Sequence, residues 1–122
     1  MAAQTDLWGE IAPEHARTPV VILKEQAALL AKKTQGVIEA NVVSSISSNQ
    51  FVHRFRLTVP ALEDYIYELF SISHAASVYP VEAEPHGAIL SDEKAFVDWL
   101  RDKLSSEETK RIIGNLLAQA NS

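Results

Sequence analysis

From residue 19 onward the apolar positions follow first a helical period and then a period of two. Val20, Leu23, Ala27 and Leu30 recur at helical spacing, with Glu25, Ala28 and Lys32 on another side. Thr18 can cap this helix, and Pro19 suits its first position because the missing N–H would be an orphan there. Gly36 can stop it in the left-handed conformation. The spacing predicts a helix over 19–35.

The next stretch, GVIEANVVSSISSNQFVHRFRLTVP, reads as a hairpin if Ser48-Asn49 is a two-residue turn. Ile46 then faces Phe51, Ser44 faces His53, Val42 faces Phe55, Ala40 faces Leu57 and Ile38 faces Val59. Facing residues share a side of the sheet, so one side is almost wholly apolar. The other carries Glu39, Asn41, Val43 and Ser45 against Thr58, Arg56, Arg54 and Val52, and Glu39 can pair diagonally with Arg56. A slip of one residue would mix the two sets.

Pro60 ends the second strand. In ALEDYIYELFSISH, the residues Leu62, Tyr65, Ile66, Leu69 and Phe70 fit a helical stripe, but closely spaced Tyr, Ile and Phe favour a strand. The reading adopted is a strand at 64–74. Simple alternation puts Ile66, Phe70 and Ile72 on one side and Tyr65, Tyr67 and Leu69 on the other. Ser77 to Glu84 reads as a fourth strand, ended by Pro85 and Gly87, with Pro80 arguing for an edge position.

Two helices follow. Ser91 can cap the first, whose stripe is Phe96, Val97, Leu100 and Leu104 with Trp99 beside it. Ser105 and Glu108 fit a capping box for the second, with Ile112, Ile113, Leu116 and Leu117 behind them. Gly114 lies inside that helix and suggests a close packing contact. Leu7, Trp8 and Ile11 read as core anchors in a lead-in segment, 1–17. The fold expected is α+β: one two-layer domain over 1–122, in the order α-β-β-β-β-α-α. Its four-stranded antiparallel meander has helices packed on one face.

Composition narrows the chemistry. At 122 residues, 47% hydrophobic and 22% charged, the chain has the profile of a globular protein. It has no cysteine, so disulfides and thiolate chemistry are excluded. The N-terminal stretch has no basic region followed by an apolar run. No stretch approaches the roughly 18 apolar residues that span a bilayer. A cytoplasmic location away from membranes is expected. The net charge is −5, and from Glu63 to Glu84 there are acids but no Lys or Arg. Nucleic-acid affinity comes largely from Lys and Arg, so Arg54 and Arg56, extended by Lys24, Lys32 and Lys33 if the first helix lies nearby, would have to supply it. With Phe51 and Phe55 on the opposite face, no base-stacking platform lies beside them.

No nucleotide loop and no nucleophile elbow is present, and the histidines lack metal-ligand spacing. His15 and His86 fall in loops. Pairing the second and third strands about Pro60–Glu63 sets His53 beside Leu69 or Phe70, away from His74. The expectation is no catalytic residue, no cofactor and no metal. A third strand apolar on both sides, with tyrosines on one, suggests a covered open face. Tyr65, Tyr67, Glu68 and Trp8 are therefore candidate interface residues. The expected function is a small non-enzymatic protein-interaction module, either a homo-oligomer such as a homodimer or a binder or inhibitor of another protein. The alternative is a small-molecule binder or minor enzyme with a pocket at His53 and Ser44. Nucleic-acid binding ranks last.

Overall fold

A computed structural model describes residues 5–14 and 17–122. Helix α1 (Pro19–Lys33) leads into strands β1 (Glu39–Ser47) and β2 (Gln50–Val59), and a short 3-10 turn (Pro60–Leu62) precedes β3 (Tyr65–His74). Strands β4 (Val81–Glu84) and β5 (Ala88–Leu90) and helices α2 (Glu93–Leu104) and α3 (Glu107–Ala120) complete the order. The fold is the expected α+β antiparallel meander, with five strands in the order β1-β2-β3-β4-β5. The fifth strand is the short run after Gly87, whose φ of +69° turns the chain back on β4. Among the described residues, no helix is long and apolar enough to cross a membrane.

The first hairpin keeps the predicted register from Glu39↔Thr58 to Ser47↔Gln50. Ser48 and Asn49 both adopt positive φ, as a type I′-like turn demands. Phe55, Leu57, Val59 and Ile38 are buried on its inner face. That face is exposed at the turn end, where Ile46 is 71% accessible. On the outer face Arg56 pairs with Glu68 of β3 at 3.4 Å, not with Glu39 as the hairpin alone suggested.

The strand at 64–74 is confirmed as β3, but its two faces differ from simple alternation. Glu63 and Asp64 both take positive φ after the 3-10 turn, which lengthens the connection. The register then shifts between Phe55↔Phe70 and Arg56↔Glu68, leaving Leu69 as the extra residue of a bulge. The bulge puts Tyr65 and Tyr67 on the same face as Phe70 and Ile72, while Ile66 moves to the outer face. Tyr67 packs against the core. The two-sided apolar strand that suggested an interface is therefore a bulged strand with one inner face. Strand β4 starts only after Pro80, which has no N–H for the ladder. Strand β5 pairs along its other side, so β4 is not an edge.

Helix α1 buries Ile22, Leu23 and Ala27, α2 buries Phe96 and Leu100, and α3 buries Leu116. All belong to one cluster with the inner face of the sheet. The caps of the last two helices fall one residue beyond the expected ones. Asp92 accepts from the Ala95 N–H, and Ser106 accepts from the Thr109 N–H. Leu7, Trp8 and Ile11 are not anchored on the core. All three are largely exposed in an irregular segment. The rest of the lead-in, 1–4 with His15 and Ala16, lies outside the described residues.

Gly114 does not mark a close contact either, since a Cβ there would meet no atom within 4 Å. Gly114→Ala is therefore expected to raise the unfolding free energy by about 0.5–1 kcal/mol, through helix propensity. Urea denaturation checks this, and a loss of stability would contradict it.

Candidate functional site

A groove of about 790 Å³ opens between α1 on one side and α2 with α3 on the other. The sheet supplies its floor through Phe55, Leu57 and Leu69. Leu69 reaches that floor because the bulge leaves it buried on the inner face. Leu29 and Leu30 of α1 face Leu104, Ile113 and Leu117 across the groove. Both walls come from apolar arcs broader than contact with the sheet requires. Leu29 remains 44% exposed as a result.

The charged residues lining this groove are Arg17, Lys33, Arg101 and Lys110, with no carboxylate among them. Lys33 lies in the last turn of α1 and Arg101 in the last turn of α2, where cations complement the helix dipole. Arg17 pairs with Glu25, and Arg101 with Asp98 at 3.1 Å. Lys33 and Lys110 make no ion pair among the described residues. Elementary electrostatics then gives an apolar trough with positive potential along its rim, in a chain of net charge −5.

A second cluster joins the inner ends of β1, β2 and β3. The Ser44 Oγ lies 2.7 Å from His53 Nδ1, and His53 Nε2 lies 3.1 Å from His74 Nε2. The His74 Nδ1 lies 2.8 Å from the Ala75 carbonyl oxygen. That carbonyl can only accept, which fixes the tautomers of two neutral rings. His74 donates from Nδ1, His53 donates from Nε2 to His74, and the Ser44 hydroxyl donates to His53. Both rings are buried, at 5% and 8% exposure, and Phe51 stacks on His74. Burial holds the His53 imidazole below its ordinary pKa, and the neighbouring His74 and Lys24 push the same way.

The expected separation of His53 and His74 is thus corrected. The longer turn and the bulge set His53 opposite Ile72 and Phe51 opposite His74, so the histidines meet diagonally. The cluster pins three strands together, and no group of three His, Asp or Glu side chains suited to a metal ion occurs among the described residues. Neither the groove nor a smaller cleft of about 340 Å³ is lined by Ser44 or His53.

The smaller cleft is lined by Tyr67 and Glu68, together with Glu84, His86, Lys103 and Glu108. Glu68 is also held between Arg54 and Arg56, at 3.6 and 3.4 Å. Tyr65 is half-exposed at the end of β3, and Trp8 stands far out in solvent. Tyr67 and Glu68 thus meet in this cleft, whose lining does not include Tyr65 or Trp8. Sequence reading passed over Leu29 and Lys110, and took Ile113 only as part of a helical stripe. The available signal was the width of the apolar arcs on α1 and α3, with a lysine beside each. No protein-family model, curated protein or solved structure matches the chain.

Proposed function

We propose that this chain is a protein-interaction module whose groove takes up a peptide segment with interleaved acidic and large apolar residues. The observation that carries this reading is the lining. An apolar floor and walls are combined with Lys33 and Lys110, which make no ion pair among the described residues, and with two arginines paired to Glu25 and Asp98, against a net charge of −5. The length supports a peptide over a compact metabolite. The wall contributed by α1 runs from Ile22 to Lys33 and extends about 17 Å. Apolar contact would supply most of the affinity, and the lysines would select sign and speed encounter.

The test compares two 15-residue peptides with the same Leu, Ile and Trp positions, one with Glu between them and the other with Lys. Fluorescence anisotropy should show binding of the Glu peptide only. Added salt should weaken that binding by screening, and so should Lys33→Glu with Lys110→Glu. Equal binding of both peptides, or of neither, would sink the proposal.

A further inference from the structure

We propose that the occupant of the groove is the segment from Asp6 to Glu14 of a second copy of this chain. The two copies exchange these arms reciprocally in a twofold dimer. The inference rests on the groove reading above and names its partner.

Two unsatisfied features of the same molecule point to it. Leu7, Trp8 and Ile11 are 89%, 82% and 75% exposed, three large apolar side chains within five residues. Single exposed apolar residues are ordinary, but a cluster of them marks a contact surface. Asp6, Glu10 and Glu14 are interleaved with them, and residues 5–14 contain no Lys or Arg. The groove offers the complement, an apolar trough with Lys33 and Lys110, which make no ion pair among the described residues, at its rim.

The exposures favour a second copy over the chain's own groove. The arm stands clear of its own molecule, as the exposures of Leu7, Trp8 and Ile11 record. It also leads to Arg17, which already lines the groove. An arm rooted at the groove's mouth in each of two facing copies can cross to the other, and a twofold axis makes both crossings equivalent. The nine residues from Asp6 to Glu14 reach about 30 Å when extended, enough to run the length of α1. Gly9, with φ +69°, and Pro13 keep the arm from being a regular helix, so it docks as an irregular strand of chain.

The experiment is light scattering on the full chain over a range of concentrations, with two charge variants. One carries Asp6→Lys, Glu10→Lys and Glu14→Lys in the arm, and the other Lys33→Glu and Lys110→Glu in the groove. All five positions are exposed, so both variants should fold, which circular dichroism verifies. The wild type is expected to be a dimer. Each variant alone should dissociate at least about tenfold more readily, corresponding to about 1.4 kcal/mol. Mixed, they should form a heterodimer, because the basic arm then meets the acidic groove and the acidic arm meets the basic one.

A wild type that stays monomeric at every concentration overturns the exchange. So does a dimer that survives both variants, or a mixture that does not re-associate. A peptide of residues 5–14 added to the monomeric arm variant separates the two readings. If it binds, only the exchange has failed. If it does not, the groove reading fails as well.

Discussion

Phe55→Ala is expected to lower the unfolding free energy by about 3–5 kcal/mol, a large part of the 5–15 kcal/mol typical of a natural domain. Phe55 is 2% exposed and stacks on Phe70 with ring centroids 5.1 Å apart. Phe70 in turn packs T-shaped against Trp99, with centroids 5.2 Å apart. Truncation removes one member of an aromatic row that joins β2, β3 and α2, and the rigid sheet below cannot close the space. Phe51, on the same strand and the same face, is the internal comparison. It is 39% exposed at the turn end, and Phe51→Ala should cost far less. Guanidinium denaturation of both variants checks the contrast. Equal losses would mean that the inner face is not packed as described.

The second large effect concerns acid. The folded chain holds the His53 pKa below its ordinary value, first by burial and then through His74 and Lys24. The unfolded chain takes up that proton near pH 6.5, and the folded chain only at lower pH. Between the two values the unfolded state binds more protons, so stability rises with pH there. His53's contribution is therefore intact above about pH 6.5 and is lost as pH falls through the folded pKa. One proton sets a limiting slope of about 1.4 kcal/mol per pH unit. Denaturation midpoints measured from pH 7.5 to 4.5 should fall more steeply for the wild type than for His53→Ala. The variant should start lower and respond less between pH 6.5 and 5. Parallel curves would contradict the account.

These two regions differ in how far the sequence revealed them. The β1–β2 register was legible because one pairing puts Val42, Ala40 and Ile38 opposite Phe55, Leu57 and Val59, and any slip by one breaks that match. Helix positions were legible from their stripes, but two caps moved by one residue because neighbouring side chains compete. Ser105 uses its hydroxyl on the Arg101 carbonyl at 2.6 Å, which leaves Ser106 to cap α3. Buried Thr109 then donates to the Lys103 carbonyl at 2.7 Å, closing the corner between α2 and α3.

The bulge at Leu69 had no local signature. It satisfies the stacking of Phe70 on Phe55 and the pairing of Glu68 with two arginines, both of which are contacts made across strands. Missing it separated His53 from His74 and put the tyrosines on the wrong face. The groove escaped for a similar reason. Its walls belong to helices far apart in the chain, and the space between them follows from how each sits on the sheet. The sequence held only the excess apolar width of α1 and α3, which a core could also have absorbed.

The most direct test of the groove as a docking site is an amide chemical-shift map of the isotopically labelled chain during titration with the acidic peptide. The account predicts that the largest changes follow the trough, at Leu29, Lys33, Lys110, Ile113 and Gly114, with little change on the outer face at Val43, Ile66 and Ile89. Changes concentrated on that outer face, or around Tyr65 and Glu68, would contradict it and place the interaction elsewhere on the molecule.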